Sequence, residues 1–300
     1  MRWLITGAGG QLGADLQRAL ADRSDRADRS GHDVRAVGHA ELDIADSVAV
    51  AKLLADFPAD VVVNAAAYTA VDAAESDEDA AYRANATGPA TLAAALAGAG
   101  LDAKLIHVST DYVFAGDAEQ PYEVDAATAP RSAYGRTKLA GEQAVRELLP
   151  ERGFVVRTAW VYGADGGNFV KTMARLERER DTVSVVDDQR GSPTWSADLA
   201  AGLVELAESD APAGIYHCTN SGDTTWFGLT RAIFDELGAD PERAQPTTTD
   251  AFPRPAPRPA YSVLSDAAWR GAGLTPMPHW RDALQRAFAT SSDALRGTGS

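Results

Sequence analysis

A glycine-rich turn between an apolar strand and a helix constrains the fold of this chain more than any other feature. Residues 2–6 (RWLIT) form a short apolar run, and Gly7, Gly10 and Gly13 follow in G-x-x-G-x-x-G spacing before an amphipathic pattern over residues 11–21. Such glycines allow a tight bend, close approach of the backbone to a pyrophosphate, and close packing of helix on strand. The helix N-terminus attracts phosphate. The motif predicts a dinucleotide-binding turn; a merely structural turn is the alternative.

Strand-like and helix-like segments alternate through the first half of the chain. Strands are predicted at residues 34–38, 61–64, 104–109 and 154–162, and helices at 11–21, 47–56, 75–97 and 134–149. This alternation predicts an α/β fold, namely a Rossmann-like doubly wound parallel sheet with helices on both faces and ligands at the carboxyl ends of the strands. The charged segment 22–33 has no periodicity and is predicted to be an exposed loop.

The pattern loosens after residue 163. Helices are predicted at residues 168–180, 197–208 and 226–237, between Pro-containing stretches at 191–195 and 252–261. We therefore predict a dinucleotide-binding Rossmann domain over residues 1–162. Residues 163–300 are predicted to form a smaller, mostly helical and mainly substrate-binding region, partly interleaved with the first. The tail at 291–300 is predicted to fray.

Composition excludes several classes of function. The formal net charge is −15, so the basic surface that nucleic acid needs is lacking. No apolar run approaches the roughly 20 residues of a membrane helix, and no signal peptide is expected because a strand begins at once. One cysteine and five scattered histidines argue against a disulfide framework and a Cys- or His-based metal site. We expect a cytoplasmic protein.

A tyrosine and a lysine form the motif Y-x-x-x-K. Tyr134 and Lys138 stand four residues apart on a predicted helix, so both side chains emerge on one face. A nearby ammonium favours the phenolate, so we expect a lowered tyrosine pKa and a general acid that works near neutral pH. The alternative is a surface Tyr–Lys pair. Ser109, Thr110 and Asp111 follow a predicted strand, where a hydroxyl can hydrogen-bond a substrate carbonyl; Ser109 and Thr110 are equally plausible there.

The choice of cofactor stays open at this stage. The second predicted strand ends at His39 without the acidic residue that usually binds the ribose 2′-hydroxyl of NAD. Carboxylates follow only at Glu41 and Asp43. A histidine or a nearby arginine could accept a 2′-phosphate, which favours NADPH over NADH. The alternative for His39 is a solvated loop residue.

Taken together, these motifs resemble the extended short-chain dehydrogenase/reductases and, within them, the dTDP-4-dehydrorhamnose reductase family. The likeness covers almost the whole chain. The matching stretches are GGQLG (9–13), ELDIAD (41–46), NAAAYTAVDAAES (64–76), STDYVFAG (109–116), the segment 121–142 with Y-x-x-x-K, VVRTAWVYG (155–163), NFVKTM (168–173), VVDDQRGSPT (185–194) and PRPAYSVL (257–264).

The resemblance implies reduction of the 4-keto group of dTDP-4-dehydro-L-rhamnose by NADPH or NADH, giving dTDP-L-rhamnose for polysaccharide biosynthesis. It implies that Tyr134 donates the proton to the nascent alkoxide and that Lys138 holds the nicotinamide ribose and tunes Tyr134. By the same likeness, Thr110 hydrogen-bonds the reacting sugar, Asp111 helps to hold it, and Trp160 contacts it.

Further binding residues are implied by the same resemblance. The cofactor contacts are Gly7, Gly10, Gln11, Leu12 and Gly13 at the pyrophosphate, Asp43 and Ile44 at the adenine, and Ala65, Ala66 and Ala67 under the nicotinamide half. Asn168 and Arg258 are implied at the nucleotide end of the substrate, where Arg258 could pair with the diphosphate. A packed aromatic and a surface salt bridge are the alternatives for Trp160 and Arg258.

The chain departs from the family in one respect. Some members dimerise around Mg²⁺ held by carboxylates that include C-terminal glutamates, whereas residues 280–297 contain no glutamate. We therefore expect no metal-bridged dimer and assign no metal ligand, leaving Mg²⁺ open, with a monomer or a homodimer as the expected state. Two alternatives of function remain, an NAD-dependent sugar-nucleotide epimerase and a non-catalytic regulatory subunit of the same fold. Tyr112 stands where dehydratases often have a glutamate, which disfavours dehydration.

Overall fold

The computed structural model describes residues 1–24 and 31–297, and its strands divide into one large sheet and three small pairs. In chain order the strands are β1 (Arg2–Thr6), β2 (Asp33–Val37), β3 (Val61–Asn64), β4 (Lys104–Thr110), β5 (Gly153–Thr158), β6 (Val161–Tyr162), β7 (Val183–Val186), β8 (Arg190–Gly191), β9 (Thr194–Trp195), β10 (Gly214–His217), β11 (Thr224–Thr225) and β12 (Ala244–Thr247). The large sheet has the order β10-β5-β4-β3-β1-β2, and all its pairings are parallel.

This order creates a switch point beside the first strand. β1 pairs with β2 on one side and with β3 on the other, so the strands that follow β1 in the chain lie on opposite sides of it. Ligands bind at such a point, outside the carboxyl ends of the strands. The turn that follows β1 carries Gly7, Gly10 and Gly13, which places the glycine motif at this crevice.

Helices cover both faces of the sheet and extend beyond it. They are α1 (Gln11–Ser24), α2 (Ser47–Asp56), α3 (Val71–Ala74), α4 (Glu78–Tyr82), α5 (Gly88–Gly98), α6 (Ala133–Leu148), α7 (Phe169–Glu179), α8 (Ser196–Glu208), α9 (Trp226–Leu237), α10 (Ala267–Gly271) and α11 (Trp280–Arg296). A π-helical segment, Arg83–Thr87, joins α4 to α5, and short 3₁₀ turns lie at Asp111–Val113, Pro241–Arg243 and Thr249–Ala251.

The core explains why the strand sequences are almost continuously apolar. Every residue of β3 is buried, because the sheet is covered on both faces. One apolar cluster packs α1 and α8 against one face, and another packs α2 and α5 against the opposite face. A third cluster joins α7, α9 and α11 beyond the edge of the sheet. The expected Rossmann-like α/β fold is confirmed.

Residues after 163 divide between the two parts of the molecule. β10 extends the large sheet beside β5, and α8 packs on α1. Part of the chain after residue 163 therefore belongs to the large sheet and its covering helices. The helices α7, α9 and α11, with the pair β7–β12, form the remainder. The predicted boundary at residue 162 stays a prediction.

Three local expectations were wrong. The predicted helix at 75–97 is interrupted at Arg83–Thr87, where the buried Asn85 turns towards neighbouring segments. The predicted strand at 154–162 is split into β5 and β6, because Trp160 has a left-handed backbone (φ 51°). The tail is helical to Arg296, with a kink at Ser291, because Leu295 is fully buried. Residues 22–24 end α1; residues 25–30 of the predicted loop, and residues 298–300, lie outside the described part.

Candidate active site

A large cleft opens at the carboxyl ends of β1, β3 and β4. Its volume is about 1610 Å³. Pockets for one small ligand usually measure about 300–1,000 Å³, so this cleft has room for two ligands side by side. Of the residues singled out from the sequence, those that line it are Gly7, Gly10, Gln11, Leu12, Gly13, His39, Asp43, Ile44, Ala65, Ala66, Ala67, Ser109, Thr110, Asp111, Tyr134, Lys138, Trp160 and Arg258.

The glycine loop has the geometry of a phosphate cradle. Gly7 has a positive φ of 76°, and a Cβ there would lie 2.6 Å from the backbone nitrogen of Ala66. A Cβ on Gly13 would overlap the carbonyl oxygen of Gly7, so the first turn of α1 packs directly on the loop. A Cβ on Gly10 would meet only the Gly7 oxygen, at 3.4 Å. The loop and the free N–H groups of α1 therefore fit a pyrophosphate.

Tyr134 lies in the first turn of α6 and faces the cleft. Ser132 caps this helix by accepting a hydrogen bond from the Gly135 N–H at 3.1 Å. Burial raises the pKa of Tyr134 to about 12; a hydrogen bond with Thr110 acts in the opposite direction, and the charge of Asp111 adds to the rise. The phenol thus keeps its proton at neutral pH. Our expectation of a pKa lowered by the neighbouring lysine was wrong.

The orientation of Lys138 explains that difference. Its side chain is 2% exposed, and Nζ donates a 2.6 Å hydrogen bond to the carbonyl oxygen of Val108 in β4. Burial lowers the pKa of Lys138 to about 8, against the opposing charge of Glu142 one turn further along α6. The ammonium is therefore held at the end of β4, and it is not among the charges that shift the pKa of Tyr134.

The structure separates the two hydroxyls at the end of β4. Ser109 Oγ donates a 2.5 Å hydrogen bond to the buried carboxylate of Glu142, which also binds Arg157. Thr110 Oγ1 instead donates to Asp111 Oδ1 at 2.9 Å and contacts Tyr134. Both line the cleft, but Ser109 is committed to a structural cluster. The geometry favours Thr110 as the hydroxyl that meets a substrate.

Asp111 is buried beside Thr110 at the bottom of the cleft. Burial raises its pKa to about 6, although hydrogen bonds from Ser262 and Thr110 oppose the rise. Its Oδ2 atom is buried and has no hydrogen-bond partner within residues 1–24 and 31–297. A buried carboxylate oxygen without a donor is costly, so this atom is suited to accept a hydrogen bond from a bound ligand.

Trp160 stands on the opposite wall in a strained conformation. Its ring stacks on that of Trp226, with centroids 3.5 Å apart and planes 5° apart. A Cβ on Gly191 would lie 2.5 Å from the Trp160 ring, so only glycine leaves space for it. Within the described residues, Trp160 alone among non-glycine residues has a positive φ. Such strain is typical of functional sites, where surrounding packing maintains it.

Arg258 reaches the cleft from a Pro-rich segment. Its Nη2 atom donates to Asp72 Oδ2 at 2.8 Å, and Asp72 Oδ1 accepts the Ala256 N–H at 3.3 Å. Asp72 thus fastens residues 256–258 at the rim. The guanidinium is 19% exposed and lines the cleft, so it is available to an anionic ligand in exchange for Asp72.

Asn168 has a different position from the one expected. The lining of the cleft does not include it. Its Oδ1 atom caps α7 by accepting the Lys171 N–H at 3.0 Å, and its Nδ2 atom donates to Gln11 Oε1 at 2.9 Å and to the Gly163 carbonyl at 2.8 Å. The contact with Gln11 ties the start of α7 to the glycine loop, and the contact with Gly163 ties it to the turn after β6. Asn168 therefore organises the site without facing it.

Sequence reasoning missed several residues that shape the cleft. Asn85, in the π-helical segment, accepts the Tyr68 N–H at 2.8 Å and donates to the Tyr68 carbonyl and to Thr137 Oγ1, each at 3.1 Å. It holds the segment that follows Ala65–Ala67 in place. Among the residues that line the cleft, those that the sequence did not single out include Trp226, Arg83 and Arg254. A polar residue inside an apolar helical pattern was the one available signal for Asn85.

No group of three or more His, Cys, Asp or Glu side chains within residues 1–24 and 31–297 could hold a metal ion. Over the same residues, no helix combines the length and the apolar character that crossing a bilayer requires.

Known proteins match this chain over nearly its whole length. The family model described as RmlD substrate binding domain matches residues 1–292. The chain is 52% identical over 291 residues to a dTDP-4-dehydrorhamnose reductase of Streptomyces griseus, covering 96% of this chain and 93% of that protein. It is 51% identical over 288 residues to a probable dTDP-4,6-dihydroxy-2-methyloxan-3-one 4-ketoreductase of Streptomyces antibioticus, covering 96% and 95%.

A solved structure shows the same similarity in three dimensions. The crystal structure of a dTDP-4-dehydrorhamnose reductase from Bacillus anthracis in complex with NADP superposes with a TM-score of 0.89. The two sequences are 39% identical, and the match covers 96% of this chain and 99% of that chain. The family resemblance inferred from the motifs is confirmed.

Proposed function

This chain belongs to the RmlD substrate-binding-domain family, and on that premise we propose that it reduces the 4-keto group of dTDP-4-dehydro-L-rhamnose with NADPH, giving dTDP-L-rhamnose. One observation carries the proposal. The Tyr134 phenol, in contact with Thr110, lies in the same cleft as the glycine loop and Lys138. A proton donor, a dinucleotide cradle and room for a second ligand are thus combined in one place.

The residues of the cleft fit a bound dinucleotide. The loop Gly7–Gly13 and the N-terminus of α1 would hold its pyrophosphate. Asp43 and Ile44 would contact the adenine, and the small side chains of Ala65–Ala67 would lie under the nicotinamide half. When bound, NADPH supplies the hydride. The relative from Bacillus anthracis, crystallised with NADP, supports this choice of cofactor.

The side chains at the end of β4 would complete the reduction. Thr110 would hydrogen-bond the C4 oxygen, and Tyr134 would donate its proton to that oxygen as negative charge develops. The raised pKa of Tyr134 keeps the phenol protonated, which an acid needs before the reaction. Lys138 would hold a ribose hydroxyl. Asp111 Oδ2 would accept a hydrogen bond from the sugar, and Arg258 would pair with the diphosphate.

Trp160 would cover the sugar ring from the opposite wall. Its stack on Trp226 and its strained backbone fix the ring in place before any ligand arrives. Preorganisation of this kind reduces the entropy that a substrate loses on binding. Asn168 would act only indirectly, through Gln11 and the glycine loop.

An assay with the purified chain tests this proposal. It combines dTDP-4-dehydro-L-rhamnose with NADPH and, separately, with NADH, and follows the absorbance of the reduced nicotinamide. We expect substrate-dependent oxidation of NADPH, and we expect Tyr134→Phe to lower turnover by at least about 10²-fold while cofactor affinity changes little. Near-normal turnover of that variant would show that Tyr134 is not the proton donor.

Two related functions are tested in the same experiment. The Streptomyces antibioticus relative is named for a different dTDP-linked ketosugar, so other dTDP-4-keto-6-deoxy sugars belong in the substrate panel. An epimerase would interconvert sugars without net oxidation of the nicotinamide. A regulatory subunit would bind nucleotide without turnover, and its binding would be indifferent to Tyr134→Phe.

The state of the working protein completes the proposal. We infer a cytoplasmic monomer or homodimer that needs no Mg²⁺ bridge, with a Rossmann domain over residues 1–162 and a substrate-binding region over residues 163–300. The absence of glutamate from residues 280–297 supports the inference that no Mg²⁺ bridges two subunits. Light scattering with and without EDTA tests it, and a mass that falls on chelation would contradict it.

A further inference from the structure

The end of the cleft beyond β2 carries an unusual set of charges. This adenosine end, as we call it, is lined by Gly38, His39, Leu42, Asp43, Ile44 and Arg83. Arg83 Nη2 lies 2.6 Å from Asp43 Oδ2, and the two side chains are 60% and 39% exposed. This end of the cleft therefore carries a guanidinium that is paired with a carboxylate and still exposed to solvent.

Both basic groups of this end face the same carboxylate. The hydrogen bond from Arg83 holds the pKa of Asp43 below its usual value; the Ala45 N–H and the charges of Arg83 and His39 act in the same direction, and partial burial opposes them. Arg83 and His39 therefore both lie close to Asp43. An imidazole and a guanidinium thus converge here from two separate segments, the turn after β2 and the π-helical segment before α5.

The carboxylate nearest the end of β2 is turned away. Glu41 Oε2 accepts a 2.9 Å hydrogen bond from the Gly38 N–H, so it closes the turn after the strand. Glu41 is also missing from the residues that line the cleft. In NAD-specific sites an acidic side chain near this position binds the ribose 2′-hydroxyl, whereas here the Glu41 carboxylate is hydrogen-bonded to the backbone of its own turn.

The backbone around Arg83 explains how the guanidinium reaches this rim. Arg83 begins the π-helical segment, whose wider turn is anchored by the buried Asn85 through its contacts with Tyr68. Such insertions recur at functional sites because they redirect side chains. Ile44 packs against Gly88 in the following helix, so the turn after β2 and the start of α5 are fixed relative to each other.

We propose that Arg83 leaves Asp43 on cofactor binding and pairs with the 2′-phosphate of NADPH, which makes the chain selective for NADPH over NADH. This inference rests on the proposed function, because it assumes that the adenosine of the cofactor occupies this end. A guanidinium binds phosphate through paired, charge-assisted N–H···O bonds, whereas a neutral ribose hydroxyl can accept only a weaker hydrogen bond from it. Exposed ion pairs such as Arg83–Asp43 contribute little, so the exchange costs little.

Titration with adenosine nucleotides tests the inference without any turnover. Calorimetry measures the affinity of the purified chain for 2′,5′-ADP and for 5′-AMP, which differ only in the 2′-phosphate. We expect the wild type to prefer 2′,5′-ADP, and Arg83→Gln to weaken that affinity by roughly tenfold to hundredfold. Binding of 5′-AMP should change by less than about twofold. Added salt should weaken the binding of 2′,5′-ADP more than the binding of 5′-AMP.

Two further variants separate direct contact from indirect effects. Arg175→Gln removes a guanidinium of similar exposure, 52%, whose partner Glu179 lies on the same helix, and it should leave both affinities unchanged. Arg83→Gln combined with Asp43→Asn removes the carboxylate that the single variant leaves unpaired. If Arg83 contacts the phosphate, the double variant stays weak for 2′,5′-ADP relative to 5′-AMP. Recovery of the wild-type ratio in the double variant would overturn the inference.

The remaining outcomes are equally decisive. Equal weakening of both nucleotides by Arg83→Gln would mean that the guanidinium packs on the adenine, and it would refute a role at the 2′-phosphate. Equal affinity of the wild type for both nucleotides would also refute the inference, while the dinucleotide site itself would stand. A wild type that binds neither nucleotide would overturn the proposed function together with this inference.

Discussion

A buried ion pair beneath the site gives the sharpest prediction about stability. Glu142 and Arg157 are each 2% exposed, and they are joined by hydrogen bonds of 3.0 and 2.7 Å. If Arg157→Met removes the guanidinium, the carboxylate keeps only the donor Ser109 Oγ, at 2.5 Å. Breaking such a pair from one side costs about 3–5 kcal/mol, because a buried charge is left uncompensated.

Chemical and thermal denaturation measure this cost. We expect Arg157→Met to lower the free energy of unfolding by that amount and the melting temperature by roughly 5–8 °C. The double variant Arg157→Met with Glu142→Met should lose less than the two single variants together, since it leaves no buried charge. The exposed pair Arg175–Glu179 provides a control, and Arg175→Met should cost less than about 1 kcal/mol.

Activity should follow stability in these variants. Ser109 precedes Thr110, and Glu142 lies one turn beyond Lys138, so the buried pair supports both edges of the site. Arg157→Met should therefore reduce turnover even at temperatures where it is folded. A loss of stability below about 1 kcal/mol in Arg157→Met, or strictly additive single and double variants, would refute the reasoning.

Three further predictions concern the cleft. Gly13→Ala should abolish nucleotide binding or folding, as circular dichroism and calorimetry would distinguish, because its Cβ would overlap the Gly7 carbonyl oxygen. Lys138 has a folded-state pKa of about 8, below its ordinary 10.5. Since the unfolded state binds more protons between these values, the stability of the wild type relative to Lys138→Met should rise with pH across that window, measured by urea denaturation. Gly191→Ala should displace the Trp160 ring, seen as a shift in tryptophan fluorescence and a higher KM for the nucleotide sugar. Normal folding and nucleotide binding of Gly13→Ala, a difference in stability between wild type and Lys138→Met that does not change with pH, or unchanged fluorescence and KM of Gly191→Ala would contradict the contact on which that prediction rests.

The elements predicted best from sequence were those fixed by local pattern. The strand–glycine–helix order around Gly7 and the apolar run of β3 need no distant partner to be recognised. The Y-x-x-x-K spacing likewise places Tyr134 and Lys138 on one helix from sequence alone. These features set the sheet and the two walls of the crevice.

The features that sequence missed depend on distant contacts. Trp160 breaks the predicted strand only because Gly191 and Trp226 leave it a place outside β5. The π-helical segment needs Tyr68 to engage Asn85, and no periodicity reports that contact. Lys138 was expected near the Tyr134 phenol, yet its ammonium is held by the Val108 carbonyl.

The same reason explains the ambiguity at the end of β4. Ser109 and Thr110 are chemically alike and adjacent, so sequence left both as candidates. Their roles separate only in the folded chain, where Glu142, 33 residues away, accepts the serine hydroxyl. Arg258 is similar, because its partner Asp72 lies 186 residues away.

Transfer of deuterium from cofactor to sugar tests the central claim most directly. The chain is incubated with dTDP-4-dehydro-L-rhamnose and with NADPH that carries deuterium at both positions on C4 of the nicotinamide, and the product is examined by NMR. We predict dTDP-L-rhamnose labelled at C4 of the sugar, with NADP⁺ formed in equal amount. Product without label, or a sugar altered with no net oxidation of NADPH, would contradict the account.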